Sequence, residues 1–156
     1  MKKLTLIALL FITVLNYNCS SDDSIHIDKN DYLIFGHFYG MCAGDGCVLT
    51  YKLTDDTLYE DINHNYLGTD LNFKALDNNT FEQVKDLANY VPSELLNETE
   101  SVFGCPDCAD QGGLFIEISK NGVVKSCRID QYKNNVPAYL YTFMDQVNEK
   151  IQLINN

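Results

Sequence analysis

The chain predicts an α+β domain: a mainly antiparallel sheet of about five to six strands with two helices packed on one face. Three observations lead there. Short segments rich in β-forming residues and bounded by turn residues fill the first half of the chain beyond its leader. An Asn121-Gly122 dipeptide joins two further apolar runs in the manner of a hairpin. Two stretches carry apolar residues at helical spacing, one before that hairpin and one after it.

The first strand is "DYLIFGHFYG". Tyr32, Ile34 and Phe38 alternate with Leu33, Phe35 and Tyr39, so both faces are apolar and the strand belongs in the middle of the sheet. In "VLTYKLT", Leu49, Tyr51 and Leu53 lie opposite Thr50 and Lys52, and "DLNFKAL" repeats the pattern with Leu71, Phe73 and Ala75; both read as half-buried strands. The first helix is "NNTFEQVKDLANYVP", with Asn79 and Glu82 at capping-box spacing, Phe81, Val84, Ala88 and Val91 on one face, and Pro92 ending it. In the last helix Pro137 suits a first position, and Leu140, Phe143, Met144, Val147, Ile151 and Ile154 form a core-facing stripe.

The hairpin between the helices fixes its own register. With Asn121-Gly122 as the turn, Lys120 faces Val123, Ile118 faces Lys125, Ile116 faces Cys127 and Leu114 faces Ile129. Cys127 therefore points inward, as a buried free thiol behaving as a small hydrophobe or, as the alternative, bridged to another cysteine, and Glu117 lies near Arg128 on the other face as a cross-strand charge pair. A chain of 156 residues, 46% hydrophobic and with three prolines, is long enough to bury one core, so residues 32–156 form a single domain.

The N-terminus carries the clearest address. "MKK" is a basic n-region, and the apolar run from Leu4 to Leu15 is shorter than the roughly 20 residues a spanning helix needs, so it reads as a secretory signal. With "NYNCSSDD" directly after that run, the N-terminus resembles the exported lipoproteins of bacteria, of the Bacteroidota type. The resemblance covers roughly the first twenty-three residues and implies a signal peptide over 1–18, an acylated Cys19 and a place in the outer membrane, facing either the cell surface or the periplasm. Its implied partner is the membrane, through the lipid on Cys19. Ordinary signal cleavage near Ser20 or Ser21 and an uncleaved anchor are the rivals. Residues 19–31 are polar and charged, as in a flexible tether.

Removing Lys2 and Lys3 takes the formal charge from −11 to −13, which argues against nucleic acid, since binding phosphates needs clustered Lys and Arg. Cys42 and Cys47 in "GMCAGDGC", and Cys105 and Cys108 in "GCPDC", sit in Gly-rich turns. In an exported protein they are disulfide candidates, paired locally or across the two turns; a zinc knuckle and a redox centre are the alternatives. A thioredoxin-type centre needs its first cysteine at a helix N-terminus, whereas "ADQGG" and a strand follow Cys108, and Asp107 and Asp110 oppose thiolate formation.

"DINHNYLGTD" spaces Asp61, Asn63, Asn65 and Asp70 somewhat like a calcium loop, but it has Tyr66 where the turn glycine belongs and Asn72 where the bidentate Glu belongs. A solvated turn is the plainer reading. His26, His37 and His64 form no catalytic motif, so no catalytic residue and no cofactor is assigned. The expectation is an envelope lipoprotein acting as a binding or structural module. Two alternatives stand beside it: a thiol- or metal-dependent enzyme using Cys105 and Cys108, and a calcium-dependent adhesin-like module.

Overall fold

The structure, a computed structural model, describes residues 25–156. The expected signal peptide and the expected acylation site, Cys19, lie outside the described residues. One seven-stranded sheet forms the scaffold, in the spatial order β4-β3-β2-β1-β6-β7-β5. Its strands are β1 (Tyr32–Phe38), β2 (Val48–Leu53), β3 (Leu58–Asp61), β4 (Phe73–Ala75), β5 (Val102–Phe103), β6 (Gly113–Lys120) and β7 (Val123–Asp130). The helices are α1 (Asn78–Val84), continued by a 3-10 segment over Lys85–Tyr90, α2 (Ser93–Asn97) and α3 (Tyr141–Ile154). The sheet is mixed, because β5 joins β7 in parallel while the other neighbours are antiparallel.

The α+β class holds, and the details are corrected. Among the described residues there are seven strands and three helices in place of five to six and two. β3, "LYED", carries two acids that mask its pattern, and β5 is two residues long, seeded where the Arg128 N–H donates to the Ser101 carbonyl. Five-residue α2 begins directly after Pro92, which the sequence presents only as a stop. The cap of α1 is also different: Asp77 accepts from the N–H groups of Asn79 and Thr80, a role assigned above to Asn79.

β1 is central, flanked by β2 and β6, and both its faces are covered. Leu33 and Phe35 enter the main core with Tyr51, Leu53, Leu114, Ile116, Cys127 and Ile129. Phe81, Val84, Leu95, Phe143, Met144, Val147 and Ile151 from the three helices close the same core. Burying a large apolar side chain there is worth about 1.5–3 kcal/mol, and this core is the main stabilising contribution. On the other face Ile34, Phe38, Val48 and Phe115 make a smaller cluster edged by Tyr32, Leu71 and Phe73. At Gly36 the two strands are so close that a Cβ would collide with the Leu49 carbonyl oxygen and lie 2.9 Å from Thr50 Cα.

The hairpin register is the expected one at every named pair, with Asn121 and Gly122 both at positive φ. The Glu117–Arg128 charge pair is not formed. Arg128 stands opposite Phe115 and lays its guanidinium over Phe38, 3.8 Å from the ring centroid, while Glu117 accepts from the Tyr32 hydroxyl at 2.9 Å. Stacking sets the planar guanidinium against an aromatic face and leaves its rim free for hydrogen bonds.

The chain just ahead of β1 is packed as well. Ile25 is buried and Ile27 packs beside it, so the second half of the expected tether is docked. Lys120 donates to Asp28 and Asp31, each at 2.8 Å, and the Asn121 N–H donates to Asp31 at 2.8 Å. The Lys120 bond, ahead of the opposing effect of burial, holds the Asp31 carboxyl below its usual range. The polar letters of this segment hide the two isoleucines that anchor it.

Candidate functional site

Three loops converge at the end of the sheet where β1 finishes and β2 begins. The first, residues 39–47, is closed by a Cys42–Cys47 disulfide with Cα atoms 5.6 Å apart. Its chain doubles back so that the Tyr39 N–H donates to the Cys47 carbonyl at 3.0 Å, and Gly44 supplies the φ of 116° that the turn requires. His37, at the end of β1, donates from Nε2 to the Gly46 carbonyl at 3.0 Å; the partner is a pure acceptor, so the proton sits on Nε2. Burial lowers the pKa of His37, and the bond to Gly46 opposes that shift.

The second loop, residues 62–72, folds back over the open face of the sheet. Asp61 is fully buried and its carboxylate receives three N–H groups of that loop: Asn63 at 3.3 Å, His64 at 3.0 Å and Asn72 at 2.7 Å. Gly68, with φ of 68°, rests on the Phe115 ring, where a Cβ would come within 2.9 Å of the ring edge. His64 donates through Nδ1 to the Val48 carbonyl at 2.9 Å, which leaves its Nε2 as an acceptor. Tyr66 meets Phe38 edge-on, with centroids 5.2 Å apart, and its carbonyl accepts from Arg128.

The third loop, residues 104–112, contains the Cys105–Cys108 disulfide. Two acids organise it. Asp130, at the end of β7 and fully buried, accepts four hydrogen bonds: from the Cys105 N–H, the Gln111 side chain, the Tyr132 N–H and the Asn135 side chain. Burial alone would raise its pKa, and these donors together bring it below the usual carboxylate range. Asp107, in the left-handed region at φ of 61°, ties the loops together. Its Oδ2 accepts from the Gly40 N–H at 2.6 Å and the Tyr66 hydroxyl at 2.9 Å, and its Oδ1 accepts from the Gly112 N–H at 3.0 Å.

Between the first two loops lies a cleft of about 420 Å³, lined by Tyr39, Gly40, Cys42, Gly44, Cys47, Val48, His64 and Tyr66. That volume is within the usual range for small-molecule sites. Burial first, and the bond to Asp107 second, raise the Tyr66 phenol, which stays a neutral donor at neutral pH. The cleft thus offers aromatic faces, a buried valine on its wall and an imidazole acceptor, suited to a ligand that stacks and donates a hydrogen bond.

Cys42 and Cys47 line this cleft, and Cys105 and Cys108 sit in the loop that Asp107 joins to it. Both bridges are local. Cys127 is free and buried, its thiol pushed up to about 12 by burial. The calcium-like residues keep to their own loop. Asp61 serves three amides, Asn63 Nδ2 donates to the Asp70 carbonyl at 2.6 Å, Asn65 Oδ1 accepts from the Leu67 N–H at 2.8 Å, and the Asp70 side chain is exposed. Among the described residues no three or more His, Cys, Asp or Glu side chains are grouped to hold a metal ion.

Tyr39, His64 and Tyr66 as cleft walls, and Asp107 and Asp130 as loop organisers, were not anticipated from sequence. The one local signal was an Asp inside C-P-D-C, a residue type that tolerates the left-handed conformation. No protein-family model matches the chain, and no curated protein matches it.

Proposed function

We propose that the protein is a lipid-anchored binding module of the cell envelope, held at the outer membrane by Cys19 and taking up a ligand in the cleft between Tyr39, His64 and Tyr66. The observation that carries this reading is the polarity of β1. Residues 25–31 dock at its Tyr32 end through Lys120, whereas the cleft and the disulfide-closed loops stand at its Phe38 end, about 20 Å away at the strand rise per residue. An anchor on one side and a cleft on the other suit a module that holds its site away from the surface it is attached to. Disulfides that brace the cleft loops fit an oxidising, exported setting.

The test places a photo-crosslinking amino acid at Tyr66, on the cleft wall, and at Tyr132, exposed and outside it, in protein matured in its own envelope. A discrete adduct from position 66 and none from position 132 is the expected result. Equal or absent labelling at the two positions contradicts a cleft-borne ligand. Loss of membrane association in Cys19→Ser tests the anchor separately.

A further inference from the structure

Asp107 links the surface disulfide to the cleft. Its Oδ2 is the shared acceptor for Gly40 and Tyr66, which both line the cleft and belong to different loops. Asp107 itself sits between Cys105 and Cys108 with φ of 61°, a conformation that aspartate enters more readily than most non-glycine residues and that its surroundings hold here. The ring closed by the disulfide and the pair of bonds between Asp107 and Gly112 provide that hold.

We propose that the Cys105–Cys108 bond is a redox latch on the cleft: thiol–disulfide exchange with a dithiol opens it, frees Asp107, and releases Gly40 and Tyr66. The inference rests on the reading of the cleft as a binding site. In the exchange a thiolate of the dithiol attacks one cysteine sulfur, the Cys105–Cys108 bond breaks, and the second thiol resolves the mixed disulfide. Two electrons and two protons pass to the protein, leaving two cysteine thiols and an oxidised, disulfide-bonded reagent.

Two features confine the change to the loop tip. Cys105 and Cys108 are both exposed, while in the other bridge Cys42 is exposed and Cys47 buried, so a dithiol has two points of attack on the 105–108 bond and one on the 42–47 bond. The base of the loop is held separately from the bridge, because Asp130 binds the Cys105 N–H and the Gln111 side chain through hydrogen bonds that involve neither sulfur. Opening therefore lets residues 106–110 move without unravelling β6 and β7.

The test is residue-resolved amide exchange by NMR, with no ligand present, on the oxidised parent and on a Cys105→Ser/Cys108→Ser double variant. Gly40 and Gly112 are expected to exchange on the order of tenfold faster in the variant, with Phe35 and Ile116 unchanged. Stepwise reduction of the parent with dithiothreitol should give the same change as the 105–108 peptide gains two hydrogens, before the 42–47 bridge opens. Unchanged exchange at Gly40, loss of protection throughout the sheet, failure of the variant to fold, or earlier opening of Cys42–Cys47 each overturns the latch. A failed latch leaves the crosslinking result at Tyr66 standing, and the converse also holds.

Discussion

Replacing Asp130 with Ala removes the acceptor for four hydrogen bonds at once. The Gln111 and Asn135 side chains reach water and regain most of what they lose. The backbone N–H groups of Cys105 and Tyr132, which donate to Asp130 at 3.0 and 2.9 Å, are left without their acceptor. At about 1–3 kcal/mol for each orphaned group, the loss is about 4 kcal/mol. That is within the roughly 5–15 kcal/mol of a typical domain, so the variant folds but is weakened. With a urea slope of about 2 kcal/mol/M the midpoint falls by about 2 M. Asp130→Asn keeps one acceptor and turns an NH₂ towards two donors, for a smaller loss of about 2 kcal/mol.

The pH dependence carries its own sign. Burial opposes the charged form of Asp130 and the four donors overcome it, leaving the folded pKa below the unfolded value. Its contribution is therefore complete above the unfolded pKa of about 4 and is lost as pH falls through the folded pKa. The gap between parent and Asp130→Asn should be flat from about pH 5 to 8 and shrink below about pH 4. An Asp130→Ala midpoint within about 0.2 M of the parent, or a gap that persists undiminished at acid pH, would refute the four-donor account.

Lys120→Met leaves Asp28 and the buried Asp31 without their cation, at a cost of about 2 kcal/mol, and should make residues 25–31 the first site cut in limited proteolysis; an unchanged cleavage pattern counts against docking of this segment. Alkylation without reductant should label nothing in the native state and one thiol, Cys127, after unfolding, whereas four or five labelled thiols would mean that the bridges do not form. The parent should catalyse no insulin reduction, and the Cys105→Ser/Cys108→Ser variant should lose about 2 kcal/mol, the entropy of closing so short a loop. Turnover in the parent that vanishes in the variant at equal stability would promote the enzyme reading.

What could be read from sequence was whatever local pattern decides. The Asn121-Gly122 turn leaves one register for its strands, and that register alone places Cys127 inward. The α3 stripe works likewise, since Phe143, Met144, Val147 and Ile151 need only the helical period to share a face. Ile25 was missed because two isoleucines among acids and serines look like linker, and their burial depends on Lys120, far along the chain, holding Asp28 and Asp31. The cleft was not legible for the same reason. Gly40, Tyr66 and Asp107 meet because the sheet order sets β1 between β2 and β6, and an aspartate in a C-x-x-C turn does not announce which loops it will hold.

The proposed anchor and export, together with the two bridges, meet in one number, the intact mass of the protein purified from its own envelope under non-reducing conditions. The expected mass is that of residues 19–156 with an acylated Cys19, less the four hydrogens lost in forming the Cys42–Cys47 and Cys105–Cys108 bonds. A mass without lipid, one that retains residues 1–18, or one with all its thiols reduced would contradict a lipid-anchored module with disulfide-braced loops.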